Sequence, residues 1–251
     1  MFGSAGDACA PVAACIVARR DPEGVAQCPH QIRVDGRSLV GGVLVVRPVD
    51  RVVPRRRLGG GLGDERIRVV EDGDQLELGQ FRITVYQSRH MPYPSDWLTR
   101  RLIDDSEIPR PLVPPASAFD YKLGKAWILL VEHPAGSFLI SGSAGFIPGQ
   151  LSGIDVDAVF VGVGGLGSQS EDYREAYWRE TVTGVQPEQI IPVHWDSLLR
   201  STDLPLSGEL RLLGGGDTLR AFLLRQQQRH PDIRWWIPPR YEPVVLLTPG
   251  K

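Results

Sequence analysis

The sequence predicts a layered α/β domain, and three observations carry that expectation. Short apolar runs with strand grammar alternate with two helix-length segments through the second half of the chain. The 251 residues are 42% hydrophobic, enough for a substantial core. No apolar run approaches the roughly 18 to 20 residues of a membrane span, so no membrane partner is expected.

The elements follow in order. Ile67 to Val70, Gln75 to Leu78 and Gln80 to Tyr86 are strand-like runs punctuated by Asp72-Gly73-Asp74 and by Gly79. Turn residues between β-prone runs predict a meander. A Pro-rich stretch from Pro92 to Pro115 is long enough to be a lid or surface excursion, with Trp97 and Leu98 apolar enough to fold down. Ala126 to Glu132 and Ser137 to Ser141 flank His133-Pro134-Ala135-Gly136, a hairpin connection. Asp157 to Val163 and Gln189 to Val193 predict buried strands, Glu171 to Thr181 and Thr218 to Gln228 helices, and Arg234 to Ile237 and Val244 to Leu247 short closing strands.

The first 57 residues differ from the rest. They hold a single aromatic, Phe2, nine Arg and no Lys, and an Ala- and Val-rich apolar content without sustained period. A core built there would lack its usual large side chains. Gly41 to Val46 is the only strand candidate in this irregular N-terminal segment 1–57, and the folded domain is expected over 58–251.

Charge and cysteine usage narrow the function classes. With 28 basic and 30 acidic residues the net charge is −2, which gives no electrostatic reason to expect a nucleic-acid partner. Cys9, Cys15 and Cys28 are odd in number and have no CxxC spacing, so neither a disulfide framework nor a cysteine zinc site is indicated, and a reducing cytoplasm fits. Val12-Ala13-Ala14-Cys15 imitates a lipoprotein box, but no Lys or Arg precedes it.

Two features could carry chemistry. Gly162-Val163-Gly164-Gly165-Leu166-Gly167 is a literal GxGxxG between a strand and a helix, the context of a dinucleotide-binding loop. The acidic residue that such a loop needs about 20 positions on, at the end of the next strand, is not in place: that strand ends in His194-Trp195-Asp196, far beyond the spacing. Glycines that let a strand turn tightly past its neighbour account for the cluster more simply. His90 and His194 each follow a strand that reads as buried, the position where α/β sheets place functional side chains. A single histidine there is more often a hydrogen-bonded structural residue. His30, His133 and His230 read as solvated or capping residues.

Four segments together resemble the metallo-β-lactamase superfamily. Gly73 to Thr84, ending in Ser88-Arg89-His90, is similar to the segment in which two strands deliver a metal-binding histidine. Phe138-Leu139-Ile140-Ser141-Gly142-Ser143-Ala144-Gly145-Phe146 resembles the strand that usually ends in Ser-Gly-Asp-(Thr/Ala)-Gly, Asp157 to Gly165 the following strand and glycine turn, and Ile191 to Asp196 the strand supplying the last histidine. The landmarks stand in the family's order over roughly residues 58 to 247. The resemblance implies an αββα sandwich, incomplete in its N-terminal half, and a metal-dependent hydrolase of an ester, lactone or phosphoester acting on a small molecule.

The same resemblance implies zinc or another divalent metal held by His90 and His194. It also exposes two departures. The family's HxHxDH ligand loop has no counterpart upstream of His90, where the only histidine is His30, and Ser143 stands at the usual bridging aspartate. A hydroxyl is a poor substitute for a carboxylate on such a cation, and two imidazoles fall short of the roughly three protein ligands of a catalytic zinc. Impaired or absent hydrolysis is therefore expected, the alternative being a non-catalytic remnant or interaction module on the same scaffold. Only 72 residues precede Gly73, so a truncated gene or a shifted reading frame before about residue 58 is expected, to be decided by reading the upstream DNA in three frames. A half-sandwich would leave apolar surface bare and self-associate.

Overall fold

The computed structural model describes Val43–Leu44, residues 67–93, 124–196, 215–239 and 243–247. The cysteines, His30, the HxHxDH-free segment before residue 67 apart from Val43–Leu44, and the Pro-rich stretch beyond Tyr93 lie outside the described residues.

Nine strands form in chain order: β1 (Val43–Leu44), β2 (Ile67–Arg68), β3 (Gln75–Leu78), β4 (Phe81–Ser88), β5 (Ala126–His133), β6 (Gly136–Ser141), β7 (Ala158–Gly162), β8 (Gln189–Val193) and β9 (Arg234–Trp235). β1 and β2 make a separate two-residue parallel pair. The other seven form one mixed sheet in sequential order, antiparallel from β3 to β6 and parallel from β6 to β9. The meander reflects its short turns: Gly73, Gly79 and Gly136 all take positive φ, which costs glycine little. Parallel pairing starts where a longer crossover first becomes available, after Ser141.

Among the described residues two helices, α1 (Glu171–Thr181) and α2 (Gly216–Arg229), supply the second layer. α1 begins where Ser170 caps the backbone N–H of Tyr173, with Glu171 and Asp172 in its first turn and Arg179 in its last, the charge order its dipole favours. The period-2 alternation of the central strands decides which side meets the helices. Ile128, Leu130, Leu139, Val159, Val161 and Ile190 pack with Tyr177, Trp178, Leu219 and Phe222. Leu129, Val131, Phe138, Ala158 and Ile191 face the other way, with Val70, Leu76, Ile83, Val85, Leu246 and Leu247.

The architecture is α/β, with both described helices on one face of the sheet. On the face away from the helices Val85 and Ala158 are 0% exposed and Ile83 2%. Val244 to Leu247 departs from expectation and forms no strand. Leu246 and Leu247 are drawn into the second face, and the Leu246 carbonyl accepts the Gln189 side-chain amide at 3.0 Å, so the run is held by packing and a side chain. The strand foreseen over Arg234 to Ile237 is only two residues long.

Asp157 ties the β5–β6 hairpin to the start of β7. Its Oδ2 accepts the Ser137 backbone N–H at 2.6 Å, while its own carbonyl accepts the N–H groups of Glu188 and Gln189. Replacing it with alanine leaves the half-buried Ser137 donor without this acceptor and is expected to cost about 1–3 kcal/mol. Urea unfolding measures the loss; a change below about 0.5 kcal/mol would place the strand ends under other control.

Candidate functional site

The sheet brings the C-terminal ends of β4, β6, β7 and β8 to one edge, since Ser88 pairs with Ala126, Ser141 with Ile128 and Val161, and Gly162 with Val193. His90, Ser143, the glycine turn and His194 all emerge there. Sequence positions as far apart as 90 and 194 thus form one cleft.

Contacts within it are close. His90 places Nδ1 2.9 Å from the Met91 carbonyl and stacks on Tyr93 at 5.2 Å. The Met91 N–H donates to Ser143 Oγ at 3.2 Å, and Ser141 Oγ donates to the Ser143 carbonyl at 3.1 Å. His194 takes φ +58, a left-handed conformation uncommon for a side-chain-bearing residue, and its Nδ1 is buried with no hydrogen-bond partner among the described residues. A Cβ on Gly164 would come within 2.6 Å of that Nδ1, and one on Gly165 would fall on the Met91 thioether.

These contacts assign the glycine cluster. Gly162 ends β7 against the Ser141–Ser143 backbone, Gly164 makes room for the His194 ring, and Gly165 takes φ +70. Four amides in and beside the turn bond within it or to β8: Val163 to the Val193 carbonyl, Leu166 to Val163, Ser168 to Gly165 and Gln169 to Leu166. The helix opens only at Glu171, after a 3-10 turn over Leu166–Ser168. The close approaches at Gly162, Gly164 and Gly165 fit the packing role that the sequence favours for this cluster.

Burial, then the nearby His194, lowers the pKa of His90 below the ordinary 6.5, opposed by the Met91 carbonyl. A histidine with a lowered folded value favours the neutral state, so its contribution is complete above about pH 6.5 and is lost as pH falls through the folded value. Unfolding free energy of the wild type is expected to drop between pH 7.5 and pH 5 more steeply than that of His90→Gln. Equal slopes would remove this assignment.

The remaining histidines do local work. His133 Nδ1 accepts the Ala135 N–H inside the hairpin, with Nε2 3.1 Å from Gln80 Oε1, and His230 is the C-cap of α2. What sequence reasoning missed is the support under the cleft. The Tyr177 hydroxyl donates to the Gly162 carbonyl at 2.7 Å and reaches the Ser143 carbonyl at 3.4 Å, and the Tyr173 hydroxyl donates to the Ala144 carbonyl at 2.9 Å. Burial raises both phenols, Tyr173 to about 12. The i, i+4 spacing of two tyrosines on α1 was the available signal.

No family model matches the chain, and no curated protein matches it. Solved structures do. A protein described as a zinc-dependent hydrolase of the metallo-beta-lactamase superfamily from Thermotoga maritima is 14% identical, with 73% of this chain and 78% of that one covered and a TM-score of 0.35. The metallo-beta-lactamase fold protein YhfI from Bacillus subtilis is 9% identical, covering 70% and 55%, at 0.34. CmlA, a diiron beta-hydroxylase from Streptomyces venezuelae, is 16% identical, covering 78% and 38%, at 0.39. Two of these three are described as metallo-beta-lactamase proteins. At such TM-scores they carry no argument about chemistry, which rests on the cleft's own donors.

Those donors do not fit a catalytic zinc. Among the described residues no group of three or more His, Cys, Asp or Glu stands close enough to hold a metal ion. The cleft offers His90, His194 and the Ser143 hydroxyl, the last already accepting the Met91 N–H. A catalytic zinc takes about three protein ligands and a water. Among the described residues, no helix is long and apolar enough to cross a membrane.

Proposed function

We propose that this chain is a metallo-β-lactamase-like hydrolase scaffold, of the ester, lactone or phosphoester class, whose His90–His194 cleft does not by itself support hydrolysis. The observation that carries the reading is the convergence of His90, Ser143 and His194 at one sheet edge, with the His194 Nδ1 buried and unpartnered among the described residues. Two imidazoles and a hydroxyl supply neither the charge nor the ligand number that lowers a bound water's pKa to near 7. The 1–57 and 58–251 division belongs to the same reading.

Elemental analysis of the purified full chain, beside turnover assays on aryl esters, lactones and phosphodiesters, tests it. Less than one equivalent of zinc and no turnover above buffer are expected. One or two equivalents of zinc, lost in His90→Ala together with turnover, would establish a working metallohydrolase and overturn the reading.

A further inference from the structure

α1 and the residue two before it hold three of the cleft's backbone segments. Tyr177 donates to the Gly162 carbonyl at the end of β7, and Tyr173 to the Ala144 carbonyl beside Ser143. Gln169, just before the helix, donates from Nε2 to the Pro92 carbonyl at 2.8 Å, two residues beyond His90. The segments that present His90, Ser143 and the glycine turn under His194 are therefore each tied to one short stretch, 169–177. That stretch is itself anchored: Arg174 is buried, bonded to the Gln169 carbonyl and paired with Glu171. Glu175 accepts from Gln226 and Arg229 of α2, and Glu171 from Arg225.

The geometry points to Tyr173, Tyr177 and Gln169 as positioning residues that set the cleft's shape. The inference rests on the His90–Ser143–His194 cleft proposed above, yet its chemistry is that of protein hydrogen bonds alone. Each tyrosine hydroxyl holds a main-chain carbonyl, so the ring can remain packed while the hold is lost. The Tyr→Phe change isolates that hold.

The test compares the full-length wild type with Tyr173→Phe, Tyr177→Phe and Gln169→Ala, using Arg179→Ala on the exposed side of α1 as control. Amide hydrogen exchange reads the Met91 N–H, which bonds Ser143, and the Leu166 N–H of the glycine turn, against the Ile190 and Ile191 amides inside β8. Rates of carbethoxylation at His90 and His194, read by peptide mass spectrometry, report access to the cleft. Exchange at Met91 or Leu166 at least about tenfold faster, with the β8 amides unchanged and faster His90 or His194 modification, is the expected result. A rise of equal proportion in β8, or no change at the cleft, makes the tyrosines ordinary core residues and overturns the proposal. Neither readout needs a metal, so zinc found or missing bears on the hydrolase reading and leaves this one to its own outcome.

Discussion

Gly145→Ala is expected to destabilise the protein by about 1–3 kcal/mol, toward the upper end, and to dislodge His90. A Cβ at Gly145 would fall on the Arg89 carbonyl oxygen and come within 2.7 Å of the carbonyl carbons of Arg89 and His90. These are backbone atoms, so no rotamer change relieves the overlap, and the strand end must move. The Ser88 hydroxyl bond to the Gly145 carbonyl, 3.2 Å long and buried, would be disturbed with it. Gly216 is the fitting control, since a Cβ there meets nothing within 4 Å and α2 begins at that residue. Gly216→Ala should be neutral or stabilising by a few tenths of a kcal/mol to about 1. Urea midpoints at constant m separate the two, and a Gly145→Ala protein within about 0.5 kcal/mol of wild type would show that the β4 and β6 ends are not in the contact described.

Trp178→Ala is expected to cost about 3–5 kcal/mol, the range for removing a large aromatic from a core. Trp178 is 2% exposed, stacks on Trp235 of β9 at 5.3 Å and 11°, and meets Phe222 of α2 edge-on at 5.8 Å. One indole thus joins α1, α2 and the last strand of the sheet. Among the described residues its Nε1 has no hydrogen-bond partner, so the contribution is apolar and dispersive and a Phe replacement should recover a large part of it. Thermal unfolding followed by near-ultraviolet circular dichroism reads the loss. If Trp178→Ala melted within a few degrees of wild type, α1 would have to be held mainly by its ion pairs to α2, which are surface pairs worth little each.

Local pattern made most of the elements legible. The strands Gln75–Leu78 and Gln189–Val193 and the helix Glu171–Thr181 lie where period and caps put them, because short strands between turn residues and a Ser-capped helix carry their own boundaries. Val244 to Leu247 misled because β-prone composition states only that a segment suits a half-buried surface, and here that surface is a sheet face. The candidate site was half legible. His90 and His194 drew notice by following buried strands, and the glycines by their spacing, whereas Tyr173 and Tyr177 left only their i, i+4 spacing on one helix, which does not say which distant carbonyl a side chain will hold.

The sequence by itself determined the β-meander from residue 67, the alternating second half, the absence of an HxHxDH loop before His90 and the hydroxyl at position 143. These are properties of neighbours along the chain or of residue identity. Only the tertiary structure decided that His90, Ser143 and His194 share one sheet edge, that Gly164 is glycine for the sake of the His194 ring, and that Val85 and Ala158 on the second sheet face are fully buried. The physical reason is strand register: parallel pairing of β6, β7 and β8 aligns ends that lie tens of residues apart, and no local propensity encodes that alignment.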